Sequence, residues 1–159
     1  MLNVRIQPAT KQDVPLILKF IKELADYEKL LHEVTATEEM LKESLFCDNP
    51  RAEVIIAYCD DRAVGFALFF HNFSTFLGKP GIYLEDLYVR PEVRGKGIGK
   101  MLLKHLASLA VERDCGRLEW CVLDWNQQAI DFYRSIGAIP IDERTVQRAS
   151  GDALIALAE

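Results

Sequence analysis

The stretch GIYLEDLYVRPEVRGKGIGKMLLKHLASLAVER, residues 81–113, constrains the fold of this chain more than any other. Its first part reads as a buried strand, because Ile82, Leu84, Leu87 and Val89 are apolar or β-branched. Pro91, which has no N–H to give a ladder, closes that strand. Beyond a glycine-rich turn, Ile98, Leu102, Leu106, Leu109 and Ala110 fall on one helical stripe, while Lys100, Lys104, Ser108 and Glu112 fall on another.

The turn itself reads Arg94-Gly95-Lys96-Gly97-Ile98-Gly99. Glycines at alternate positions let backbone N–H groups turn toward one point with no Cβ in the way. The following helix adds its unpaired first-turn N–H groups and the positive end of its dipole. With Arg94 and Lys96 alongside, the stretch is built to hold a pyrophosphate; the alternative is an ordinary glycine turn ahead of an amphipathic helix. A P-loop is excluded, since no Gly-Lys-Ser/Thr follows four spacer residues. The spacing is G-x-G-x-G rather than the G-x-G-x-x-G of dinucleotide-binding folds.

At 159 residues the chain fits one domain with a real core, and half of its residues are apolar against 27% charged, the balance of a soluble globular protein. No apolar run approaches the roughly 18 residues of a membrane span. The start, MLNVRIQPATKQD, lacks a signal peptide's apolar centre, so the expected location is cytoplasmic. Cys47, Cys59, Cys115 and Cys121 form no C-x-x-C pair and stand near no spaced histidines, so no metal is expected. Cys59 and Cys121 fall in strand-like runs and read as buried thiols. His32, His71 and His105 are scattered and read as surface or structural residues. A net charge of −5 with no basic stripe beyond the glycine turn argues against nucleic acid and favours a small cationic substrate.

In chain order, 3–7 is a short strand, Asp13 caps a helix running to about Tyr27, and Thr37 caps a second helix to Phe46. A hairpin follows, 53–59 and 63–71 about a turn at Asp60-Asp61-Arg62, then the strand-turn-helix unit. A strand at 118–123, a helix at 127–136 ended by Gly137, and an antiparallel pair at 140–142 and 145–149 complete the core elements; 152–159 reads as a helical turn or two, or a frayed end. The order is β-α-α-β-β-β-α-β-α-β-β, a mixed, mostly antiparallel α/β sheet flanked by helices within a single domain, 1–159.

The Arg-x-x-Gly-x-Gly spacing of Arg94, Gly97 and Gly99 resembles the coenzyme signature of the GNAT N-acetyltransferase superfamily, and the order of elements is similar over nearly the whole chain. Local segments narrow the resemblance: 21–28 (IKELADYE), 83–86 (YLED), 94–99, Asp124-Trp125-Asn126 and Phe132-Tyr133 look like the spermidine/spermine (diamine) N-acetyltransferase group, with Val122–Asn126 nearest its thialysine N-ε-acetyltransferase branch. The resemblance implies acetyl-CoA as co-substrate, direct attack of a primary amine on the thioester, and a homodimer. It implies that Leu87, Tyr88 and Val89 offer backbone to the pantetheine arm, with a bulge or splay nearby freeing an N–H for the thioester oxygen. It places Arg94, Gly95, Lys96, Gly97, Ile98, Gly99 and Lys100 at the pyrophosphate, and Asn126, Gln127, Gln128 and Ala129 along the coenzyme arm.

Tyr133, also expected at the coenzyme, takes the role of general acid for the departing thiolate by the same resemblance; on the residues alone it is an aromatic packed against a strand. A phenol with a pKa of about 10 suits a thiolate leaving group. Glu85 is the implied base, acting on the incoming ammonium directly or through water; a salt bridge to Arg90 or Arg94 is the plainer alternative. In a regular strand Asp86 would face the other way. Tyr27, Glu28, Glu85, Asp86, Glu119, Trp120 and Cys121 are the implied amine contacts, with Trp120 equally readable as core. Two positions depart from the group. Ser74-Thr75-Phe76 stands where an acidic residue precedes the aromatic, and Arg144 stands where a tryptophan is usual. Acetylation of protein lysines or N-termini, and a non-catalytic acyl-CoA-binding module, are the competing expectations.

Overall fold

The computed structural model describes residues 3–159, in two compact units, 3–121 and 122–159. The first unit is built on a five-stranded sheet in the order β1 (Val4–Pro8), β2 (Glu53–Cys59), β3 (Arg62–Ser74), β4 (Lys79–Val89) and β5 (Leu118–Trp120). Pairs β1–β2, β2–β3 and β3–β4 are antiparallel, whereas β4–β5 is parallel. The helices are α1 (Val14–Tyr27), α2 (Glu38–Leu45) and α3 (Ile98–Glu112). The parallel strand follows α3, as a crossover connection requires.

The sheet is buried on both faces. Ile17, Phe20 and Leu24 of α1 pack with Val54, Ile56, Phe66 and Tyr88, and Phe20 stacks on Phe66 at 5.4 Å between ring centroids. On the opposite face, Val89 reaches α3, where its Cγ2 would lie 3.9 Å from a Cβ placed on Gly99. Ile98, Leu102, Leu103, Leu106 and Ala110 bury the expected α3 stripe. Thr37 caps α2 by accepting the Met40 N–H, as expected. Asp13 does not send its carboxylate forward onto α1; Oδ2 turns back to the N–H (2.7 Å) and hydroxyl (3.1 Å) of Thr10 and fixes the turn before the helix.

An ion pair ties α1 to β4. Arg90 donates through Nε and Nη2 to Glu23 at 3.2 and 3.1 Å, donates to Ala63 O, and covers the Phe20 ring at 5.0 Å. The two side chains are only 13% and 27% exposed, so removing one strands the other in a poorly solvated position. Arg90→Ala is expected to lower unfolding stability by about 3 kcal/mol in urea titrations; a loss under ~0.5 kcal/mol would show the pair to be solvated like a surface bridge.

The second unit contains α4 (Gln127–Ser135) and α5 (Asp152–Ala158). The antiparallel pair expected at 140–142 and 145–149 is absent: every residue from Ile139 to Gly151 is exposed, and none is in a strand. A hairpin that short, broken by Asp142, Glu143, Arg144 and Arg148, has no apolar face to cover and no stability of its own. The tail forms a helix, α5, instead of fraying. The strand expected to reach Leu123 ends at Trp120, so Cys121 is exposed rather than buried; Cys59 is buried as expected. No described helix is long and apolar enough to cross a membrane.

Candidate functional site

The site is built around an irregularity in β4. Gly65–Val89 to Leu68–Asp86 pair in one register and Phe69–Leu84 to Ser74–Lys79 in another, with the shift between Leu68 and Phe69. Glu85 and Asp86 therefore both stand against Leu68, and Glu85 is the extra residue of a β-bulge. Tyr83 opposes Phe70, and Glu85 continues its parity; Asp86 opposes Leu68 and shares the parity of Tyr88, which opposes Phe66. Phe66, Leu68 and Tyr88 all belong to the cluster under α1. The expectation that Asp86 faces away from Glu85 fails for this reason: the bulge turns both carboxylates toward the α1 face. The bulge also lies two residues before the expected Leu87–Val89.

Burial pushes the Asp86 carboxyl up to about 6, and the charges of Glu85 and Glu28 add to the shift. Burial likewise raises Glu28, at the C-terminal end of α1. Three carboxyl groups thus share one electrostatic neighbourhood. Arg90 and Arg94, the arginines that the sequence offers as neutralising partners, are engaged elsewhere: Arg90 with Glu23, and Arg94 with Val89 O at 2.8 Å and with the rings of Tyr27 and Tyr88 at 4.5 and 5.6 Å. Tyr88 is pushed up to about 12, by burial and then by Glu23.

Ionised Asp86 is a pH-dependent burden on the fold. Its folded pKa lies above the ordinary 3.8, so the native state holds the proton more tightly and the ionised form costs stability above pH 6. Asp86→Asn is expected to stabilise the protein by about 2 kcal/mol at pH 7–8. The gain should fade between pH 6 and 4 and vanish below. A gain that does not change across that range would contradict the buried charge.

The bulge also sets which backbone groups reach the outer edge of β4. The Arg90 N–H bonds Val64 O on β3, so by alternation Leu87 and Val89 turn theirs outward, and Val89 O accepts from Arg94 there. The β4–β5 ladder ends at Leu84–Trp120. Among the described residues no strand pairs with that edge over 85–89.

Past the edge, Gly95 and Gly97 hold φ of 75° and 82°, a conformation that costs an L side chain roughly 1–2 kcal/mol. A Cβ on either would meet nothing within 4 Å. Gly99 has no such φ and sits in the first turn of α3, so two of the three glycines, not all three, are required by backbone geometry. The ladder of α3 starts with Met101 N–H to Gly97 O, which leaves the amides of Ile98, Gly99 and Lys100 ahead of it. Bare backbone, first-turn amides and the cations of Arg94, Lys96 and Lys100 fit a diphosphate.

In the second unit, Asn126 Oδ1 accepts the Ala129 N–H at 3.3 Å, the capping role expected of it. Gln127 Nε2 donates to Asp131 at 2.7 Å. At the other end Gly137 N–H bonds Arg134 O and Ala138 N–H bonds Tyr133 O, with Gly137 at φ 90°, so the expected glycine closes α4. Half-buried Tyr133, 5.5 Å from Phe132 between ring centroids, is thereby held one turn before a fixed helix end.

Of the expected amine contacts, Glu119 stands beside Tyr83 in the parallel ladder and shares the face of Glu85, whereas Trp120 stands beside Leu84 and takes the α3 face. Cys121 Sγ lies 3.0 Å from Tyr83 Oη. Tyr83 itself is a residue that the sequence reading passed over; its parity with Glu85 in Tyr-x-Glu was the available signal. Burial, Cys121 and the charges of Glu85 and Glu119 raise its phenol, which stays protonated. Among the described residues no group of three His, Cys, Asp or Glu side chains is placed to hold a metal ion.

This arrangement is that of an acetyltransferase: residues 21–138 match the acetyltransferase (GNAT) family model, and the chain belongs to that family. It is 40% identical over 151 residues to a thialysine N-epsilon-acetyltransferase of Sus scrofa, covering 90% of this chain and 88% of the relative. It is 35% identical to an L-ornithine N5-acetyltransferase of Arabidopsis thaliana, covering 96% and 87%. Among solved structures, an integron cassette protein from the mobile metagenome of V. cholerae superposes with a TM-score of 0.82 at 35% identity over 98% of both chains. The α/β sheet is therefore a GNAT fold, and the chain is an enzyme that transfers acetyl groups to amines.

Proposed function

We propose that this enzyme transfers the acetyl group of acetyl-CoA to a primary amine of a small diamine, polyamine or thialysine-like substrate, by direct attack on the thioester. The observation that carries this is the bulge that turns Glu85 and Asp86 to one face, in the field of Glu28, while Arg90 and Arg94 are engaged elsewhere. Like charges held together in a partly desolvated place are costly unless a cation joins them. A free amine enters as that cation.

Glu85, the most exposed of β4's carboxylates, removes the proton that the ammonium must lose before it can attack. Asp86 and Glu28 hold the cation, with Tyr27 beside it at the end of α1. The N–H groups of Leu87 and Val89 orient the coenzyme arm, and the amides of residues 95–100 with Arg94, Lys96 and Lys100 hold its diphosphate. The coenzyme supplies the activated acetyl group. Asn126–Ala129 support the same arm, and Tyr133 gives its phenolic proton to the departing sulfur. Residues 21–138 matched as one family unit support a single catalytic domain. By the same resemblance the enzyme acts as a cytoplasmic homodimer, which sizing by light scattering would check.

The test is thiol release from acetyl-CoA against a panel of amines. Turnover with free diamines or lysine-like amines, and little with peptide amines, is the expected result. Preference for peptide lysines or N-termini would transfer the assignment to protein acetylation.

A further inference from the structure

Arg94 stands where the strand edge meets the amide cradle, and its contacts go beyond what a phosphate-binding cation needs. A single turn, Pro91–Val93, delivers it: Val93 N–H bonds Arg90 O at 3.1 Å and Arg94 N–H bonds Pro91 O at 3.2 Å. The next residue, Gly95, opens the cradle. The side chain turns back to β4, where Nε donates to Val89 O at 2.8 Å. The guanidinium lies 5.6 Å from the Tyr88 ring centroid and 4.5 Å from that of Tyr27. These two rings are held differently. Tyr88 is 5% exposed and packs against Phe20 at 6.0 Å, so it belongs to the core. Tyr27 is 37% exposed and is the last residue of α1, directly before Glu28. Lys29 then takes φ 64° and the chain turns away from the helix. Arg94 therefore joins an exposed helix end to a fixed ring and a fixed strand edge.

Resting on the proposed acetylation of a small amine, we propose that Arg94 is a positioning residue for the amine side: it fixes the Tyr27–Glu28 corner against β4 and so couples the amine site to the coenzyme site. Tyr27 and Glu28 are consecutive, so a guanidinium over the ring also sets where the Glu28 carboxyl stands. Glu28 in turn acts on Asp86 through its charge. A guanidinium has five donors, so one bond from Nε to Val89 O and one face on Tyr27 leave the Nη pair for an anion. With an anion on that pair and an arm laid along the 87–89 edge, the plane of the fork is fixed and water is shut out. A cation over an aromatic face binds it more strongly as water leaves, so the hold on Tyr27 tightens. By linkage, a bound amine that favours the ordered corner returns the same factor to coenzyme affinity. Lysine, a point charge with no planar fork, would serve a phosphate but not this link.

The experiment measures this coupling by calorimetry with coenzyme A, which carries no acetyl group, so nothing turns over. The diamine 1,5-diaminopentane is titrated into the protein alone and into the protein saturated with coenzyme A. The ratio of the two Kd values is the coupling factor. Wild type is expected to bind the diamine about 5- to 20-fold more tightly when loaded. Arg94→Lys and Tyr27→Leu should each bring the factor below about twofold, whereas Tyr27→Phe, which keeps the ring, should keep the wild-type factor. Because the factor is a ratio, weaker binding of either partner by itself does not change it. Melting temperatures check the folding of each variant, and Tyr27→Leu covers the case where Arg94→Lys cannot be saturated with coenzyme A. Equal Kd values in the wild type, or an unchanged factor in folded Arg94→Lys or Tyr27→Leu, would overturn the coupling and leave Arg94 a phosphate contact in an amine acetyltransferase. Diamine binding to neither form, with no small amine turned over in the panel, would overturn both.

Discussion

Tyr133→Phe is expected to lower kcat by about 10²-fold or more while acetyl-CoA affinity, read by calorimetry, stays within about threefold. The substitution removes one hydroxyl and keeps the ring that sits beside Phe132. The closure of α4 through Tyr133 O and Gly137 uses backbone alone and survives it. Affinity and turnover should therefore separate cleanly. The cost falls on the step in which the sulfur leaves, because a basic thiolate departs poorly unless a proton donor meets it. Turnover equal to wild type would remove Tyr133 from the chemistry.

Glu85→Gln should produce the second large loss, about 10²-fold in kcat/KM at pH 7.5, and should alter its pH profile. Without an internal base the ammonium must be deprotonated in bulk water, so activity should recover only as the pH climbs toward the amine's own pKa of about 10. The bulge makes the substitution a clean test. Glu85 is the extra residue of β4 and is exposed, so the neutral isostere disturbs no ladder pair and no core packing. A profile that keeps its wild-type shape would count against Glu85 as the base and leave it a binding charge.

Much of this was legible in the residues. Gly95 and Gly97 were readable because only glycine takes their backbone conformation without strain, and the stripe of α3 because one face of a helix repeats. Spacing alone does not separate the left-handed Gly95 and Gly97 from the helical Gly99. The bulge was the larger loss. Alternation predicts opposite faces for Glu85 and Asp86, and only the pairing of Phe69 with Leu84 and of Leu68 with Asp86 reveals the slip. That pairing depends on the partner strand, so no local pattern carries it. The same holds for Arg94, whose meeting with Tyr27 joins a turn after β4 to the end of α1. Residues 139–149 show the converse: β-prone residues such as Ile141, Thr145 and Val146 stay irregular because nothing in their own unit supplies a face to cover.

In the proposed mechanism one irregular strand serves both substrates, its carboxylates on one face holding the amine and its outer edge leading to the amide cradle for the coenzyme. A crystal structure with coenzyme A and a non-reacting amine analogue tests it most directly. The diphosphate is predicted on the amides of residues 95–100, with the amine nitrogen at Glu85 and Asp86. A diphosphate bound elsewhere, or an amine held away from those two carboxylates, would contradict it.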